Sequence, residues 1–299
     1  MNDDLGKRIL KDVSRSFYLT LRMLPREMRE SAGLGYLLAR TSDTIADTEG
    51  VAVEERLSLL AAFAASVAEG AALPVWPEKL LLAATPGEAA MLARAPEILR
   101  WLAGMEQGQA GLVREVVATI ISGQSLDLTR FADAEMGKPV ALANAAELED
   151  YTWCVAGCVG AFWTKLGFLT LGSRYSTAGE AELLEMGIAY GKGLQLVNIL
   201  RDLPEDLANG RCYLPVADPS DHAALLREYG IWHRRAVERV RQGMSYASGL
   251  RSRRLRAASV LPALIAEETL GLLDGRMGGG KVKVPRSAVY RLLVESLLF

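Results

Sequence analysis

Apolar residues recur at helical spacing in five long stretches, 34–45, 53–67, 110–121, 183–200 and 255–273, and this periodicity constrains the chain to the all-α class. Residues three and four apart share a helix face, so each stretch offers one apolar stripe for burial. No alternating run bounded by hairpin turns competes with that pattern. Breaks fall at Pro74–Pro86, Met136–Ala146 and Asn209–Asp221, where prolines and an Asn-Gly pair interrupt it. None is a long flexible linker, so one helical domain over residues 1–299 is expected. Thr177-Ala178-Gly179-Glu180 reads as a capping box opening the helix that contains 183–200.

The most membrane-like segment is Trp153–Gly172, interrupted by Lys165. Its apolar run Trp153–Phe162 is too short to cross a bilayer, and Gly157, Gly160 and Ala161 suit close helix packing, so it reads as a core helix. The amphipathic stretch Ala288–Phe299 is also too short to span. The opening Met-Asn-Asp-Asp carries no secretory signal. With 50% hydrophobic residues the chain has material for a large core, and a net charge of -2 argues against general nucleic-acid binding. Three cysteines and two histidines match neither a disulfide framework nor a zinc signature. The expected setting is the reduced cytoplasm. The basic cluster Arg251, Arg253, Arg254 and Arg256, with His233-Arg234-Arg235 upstream, suggests peripheral docking on an anionic membrane.

Two acidic motifs point to chemistry. Asp43-Thr44-Ile45-Ala46-Asp47 follows Arg40, and Asp202-Leu203-Pro204-Glu205-Asp206 follows Arg201. On a helix each places its aspartates on one face, where like charges repel unless something positive intervenes. Mg2+ suits such pairs, because it takes one or two carboxylates plus phosphate oxygens. Gln195, Asn198, Asp202 and Asp206 follow at helical spacing and draw one polar stripe along an otherwise apolar helix. A buried polar stripe needs partners, and a metal or ligand is the expected one.

Longer motifs add a family resemblance. Leu194–Asp206, continuing through Gly210-Arg211-Cys212-Tyr213-Leu214-Pro215, resembles the second signature of squalene and phytoene synthases. Tyr36–Asp47 resembles the first, Tyr151–Gly160 the Tyr-centred Val-Ala-Gly helix between them, and Ser14-Arg15-Ser16-Phe17 the N-terminal substrate-binding element. The matches run in order over most of the chain. The resemblance implies a single-domain isoprenoid-synthase helical bundle, with a central cavity lined by the two Asp-rich helices. It also implies a head-to-head prenyltransferase acting on two molecules of farnesyl diphosphate.

Carried over residue by residue, it makes Asp43, Asp47, Asn198, Asp202 and Asp206 the Mg2+ ligands. Ser14, Arg15, Ser16, Phe17, Arg40, Gln195, Asn198, Arg201 and Arg211 become substrate-binding residues. Tyr151, Arg40, Arg201 and Arg211 become the catalytic ones, with Tyr151 handling the proton. The Asp-Thr-Ile-Ala-Asp form of the first motif and the basic Val282-Lys283-Val284-Pro285-Arg286 segment resemble the squalene branch. That branch uses NADPH, which would meet Tyr36, Lys283 and Arg286. Phytoene or dehydrosqualene synthesis, or arrest at presqualene diphosphate, are the alternatives. Ala258 stands where squalene-type chains carry an aromatic four residues before the proline matched by Pro262. Gly275–Val282 nearly matches a phosphate-binding loop, but Val282 replaces the Ser or Thr that would ligate Mg2+, and no strand precedes it. A non-catalytic scaffold of the same fold would predict eroded aspartates, and all four are present here.

Overall fold

In a computed structural model, described for residues 5–14, 17–48, 50–273, 277 and 282–299, each of the five apolar stretches becomes the buried face of a helix. Arg15, Ser16, Lys281 and most of the near-match Gly275–Val282 lie outside the described residues. The chain groups into two units, one of residues 1–129 and 165–172, the other of 130–164 and 173–299.

The first unit contains α1 (Leu10–Ser14), α2 (Phe17–Met23), α3 (Arg26–Asp47), α4 (Val53–Glu69), α5 (Glu78–Ala83), α6 (Pro86–Ala93), α7 (Ala95–Ala103) and α8 (Gln107–Arg130). Helix α3 packs on α4, α6 and α7 and buries Leu34, Leu37, Leu38 and Ile45. That leaves Arg40, Asp43 and Asp47 on its more open side. The break expected at Pro74–Pro86 contains α5, and Pro86 starts α6 rather than ending a helix. A first-turn proline costs nothing there, because its missing N–H would have had no intrahelical partner.

The second unit contains β1 (Val140–Ala141), α9 (Ala145–Thr152), a π-helical turn Trp153–Gly157, the start of α10 (Cys158–Leu171), α11 (Glu180–Ala208), β2 (Arg211–Cys212), α12 (His222–Ser248), α13 (Arg253–Leu273) and α14 (Arg286–Leu298). Helix α12 packs on α11 and α13, and α13 on α14. The small residues named above do bring backbones together. A Cβ on Gly160 would lie 1.9 Å from the Gly187 carbonyl oxygen, and one on Gly191 2.3 Å from that of Ala156. The helical run Ala145–Arg174 is long and apolar enough to cross a membrane, yet half of its most apolar window is buried inside the protein, as a core helix would be.

One expectation needs correction. Thr177 does not cap α11: its N–H and hydroxyl both bond the Gly249 carbonyl, and Gly179 occupies the cap position without a side-chain bond. The capping box lies instead at Thr85 and Glu88, where α6 begins. In keeping with the all-α expectation, the strands among the described residues are only two and each is two residues long. β1 and β2 pair in parallel, Val140 opposite Arg211, and Gly210 makes the approach with φ of 82° against Glu135. Two residues are too few to leave a period in the sequence.

Candidate functional site

The first acidic motif ends α3. Asp43 Oδ1 accepts a 2.5 Å hydrogen bond from Nε2 of Gln124, which reaches it from α8. Arg40, one turn earlier, has Nη1 3.8 Å from Asp43 Oδ2 but holds Glu88 of α6 more closely through Nη2. The Asp43 side chain keeps 41% of its surface open, enough for a ligand to reach it. Its carboxyl is nonetheless pushed up to about 7. The surrounding protein disfavours its charge and the Asp47 carboxylate repels it, and Arg40 with the Gln124 amide only partly counters them. Arg40 itself is held above its ordinary value: burial works against the cation, but Glu88 and Asp43 outweigh it.

The second motif lies on α11. Leu196, Val197, Ile199, Leu200 and Leu203 are buried, while Gln195, Asn198, Asp202 and Asp206 are only half-buried. The stripe is therefore present but more open than a wholly buried one. Asn198 Nδ2 donates to Gln195 Oε1 at 3.4 Å. Arg201 grips Asp202 with both ends of its fork, Nε at 2.9 Å and Nη2 at 2.5 Å, and this bond raises the guanidinium's affinity for its proton. Arg211 is half-buried in β2.

Tyr151, near the end of α9, stacks on Tyr213 with centroids 4.8 Å apart, and Tyr213 meets Phe131 edge-on at 5.1 Å. Near the N-terminus, Ser14 is buried with its hydroxyl bonded to the Leu10 carbonyl. Phe17 stacks on Tyr36 at 5.4 Å, and the Tyr36 hydroxyl donates to the Val13 carbonyl at 3.2 Å. Lys283 and Arg286 are exposed. The structure thus joins Arg40 with Asp43, Arg201 with Asp202, Gln195 with Asn198, and Phe17 with Tyr36.

Gln124, Glu88 and Tyr213 were not expected as site residues. Glu88 and Gln124 are 48 and 81 residues distant from their partners, so no local spacing relates them. Gln124 does leave one signal. It follows Val117 and Ile120 at helical spacing, which puts an amide on the buried face of α8.

Among the described residues, no three of His, Cys, Asp and Glu converge into a metal cluster. The donor set still fits Mg2+, a cation commonly held by few carboxylates together with substrate phosphates. The fit rests on the geometry at Asp43, whose carboxylate is 41% open, shares its helix face with Asp47 and has Arg40 no nearer than 3.8 Å.

A profile of the squalene/phytoene synthase family matches residues 10–288. The chain belongs to that family. Presqualene diphosphate synthase of Rhodopseudomonas palustris is 32% identical over 200 residues, which cover 67% of this chain and 58% of that protein. Squalene synthase ERG9 of Saccharomyces cerevisiae is 26% identical over 314 residues, covering 96% of this chain and 66% of that protein. The chain therefore spans less than two thirds of the length of both. Among solved structures, TcSQS in complex with the ligand E5700 superposes with a TM-score of 0.80 at 24% identity, covering 99% of this chain and 87% of that one. That likeness establishes the all-helical fold.

Proposed function

We propose that this chain joins two molecules of farnesyl diphosphate head to head, giving presqualene diphosphate and then, with NADPH, squalene. The observation that carries the reading is the pair of Asp-x-x-x-Asp faces, each beside its own arginine, in a chain of this family. The two faces act in one reaction, within one domain of residues 1–299. Asp43 and Asp47 would hold Mg2+ on one face, and Asp202, Asp206 and Asn198 on the other. When bound, Mg2+ acts as a Lewis acid that neutralises the departing diphosphate.

Arg40, Arg201 and Arg211 donate to phosphate oxygens, a task that suits a planar guanidinium. Arg40 and Arg201 first loosen from Glu88 and Asp202. Gln195 orients the diphosphate beside Asn198. Ser14, Arg15, Ser16 and Phe17 hold a substrate at the N-terminal element. Loss of the first diphosphate leaves an allylic cation, and the double bond of the second substrate attacks it. A proton then leaves as the cyclopropane closes. Tyr151, held in place by its stack on Tyr213, handles that proton by passing on its own, and the released diphosphate is the final acceptor. Departure of the second diphosphate and rearrangement leave a cation; Tyr36, Lys283 and Arg286 would hold NADPH, which would supply the hydride to quench it. The exposed basic residues Arg251, Arg253 and Arg254 suit contact with an anionic membrane, where the product would partition.

A second reading stops at presqualene diphosphate without reduction. The 32% identity to the Rhodopseudomonas palustris protein of that name favours it. Incubation with farnesyl diphosphate and Mg2+, with and without NADPH, followed by product identification, separates the two. Squalene formed only with NADPH supports the first reading. Presqualene diphosphate under both conditions supports the second, and a desaturated product sinks both.

A further inference from the structure

The three hydroxyls nearest Asp43 on its own helix are already committed. Ser42 bonds the Ala39 carbonyl, Thr44 that of Arg40 and Thr41 that of Leu37, at 2.8, 2.9 and 2.9 Å. Arg40 is drawn away toward Glu88. The close neutral contact on the Asp43 carboxylate comes from another helix, through Gln124. Gln124 is 8% exposed, and only its N–H side can face a carboxylate, so the orientation of the amide is fixed. Its other end, Oε1, is buried and has no hydrogen-bond partner in the protein. An orphaned buried acceptor is costly, and one beside a carboxylate calls for a donor brought by a ligand. A hydrated cation supplies that donor, because its waters point their hydrogens outward.

We propose that Gln124 is a positioning residue for the divalent-cation site: its Nε2 pins Oδ1 of Asp43, and its Oε1 accepts a hydrogen bond from a water of the cation's hydration shell. The inference rests on the reading of Asp43 as a ligand. It predicts that Gln124 acts on cation affinity rather than on folding. Partners of this kind typically change metal affinity about 10- to 100-fold when removed. An apolar replacement such as Gln124→Met also removes the orphaned oxygen, so it should leave the cation-free protein as stable as the parent or more so.

The test is thermal unfolding at a series of Mg2+ concentrations in the presence of inorganic pyrophosphate, for the parent, Gln124→Met, Gln124→Asn and Asp43→Asn. Ligand-linked stabilisation gives the half-saturating Mg2+ concentration without reference to activity. The expected result is a cation-free Tm in Gln124→Met no lower than the parent's, with half-saturation moved up about 10- to 100-fold. Gln124→Asn keeps the amide but cannot span the gap, and should show the same displacement. It decides the matter if the methionine variant does not fold. A lowered cation-free Tm with unchanged half-saturation in the variants would mean that Gln124 is structural, and would overturn the proposal. Asp43→Asn distinguishes the two layers of the argument: if it titrates like the parent, Asp43 is not a ligand and the underlying reading fails first.

Discussion

Asp43 is the residue on which the proposed metal site most depends. Its carboxyl sits at about 7 in the folded chain against the ordinary 3.8, so folding favours its protonated form. The stabilising contribution is complete below pH 3.8 and is lost as pH rises to about 7. In Mg2+-free buffer the Tm of the parent should therefore fall, relative to that of Asp43→Asn, between these two pH values. Parallel pH curves for the two proteins would contradict the assignment. In turnover, Asp43→Asn and Asp202→Asn should each lose about 1000-fold or more, the scale of removing several kcal/mol of charge stabilisation, with unchanged far-UV circular dichroism. Near-normal rates in either variant would remove that aspartate from the metal site.

At the scale of elements, the helices were readable because burial imposes a period. Segments 34–45, 183–200 and 255–273 all lie within the helices their apolar residues implied. The aspartate pairs were readable because their spacing is local. What the sequence did not disclose depends on distant encounters: Gln124 on Asp43, Glu88 on Arg40, and the parallel pair of Val140 with Arg211. Thr177 misled because its capping pattern is local while its actual partner, Gly249, is 72 residues away. Glycines within helices show the same dependence on context. Gly160→Ala forces a Cβ to within 1.9 Å of the Gly187 oxygen and should cost about 3 kcal/mol or more, the upper end for overpacking. Gly111→Ala, at an exposed position of α8 with nothing within 4 Å, should instead stabilise by about 1 kcal/mol. Denaturant unfolding of the two variants would check both signs.

For the whole molecule, the two units are interleaved in sequence, since residues 165–172 group with the first although they lie inside the second. No single cut divides the chain into both, and we expect one cooperative calorimetric transition rather than two. Resolved transitions would argue for separate domains. The Arg201 grip on Asp202 carries a further consequence for the working protein. While that pair is closed, Nε and Nη2 of the arginine and both carboxylate oxygens are engaged with each other rather than with an incoming ion. If Asp202 binds Mg2+ and Arg201 the diphosphate, as proposed, whichever ion arrives first would free the other partner, and the two should bind cooperatively. Pyrophosphate should bind more tightly as Mg2+ rises, and Mg2+ more tightly by the same factor as pyrophosphate rises. On the proposed reaction, such coupling would keep half-assembled complexes rare, so that a reactive carbocation would form only when everything needed to contain it is in place.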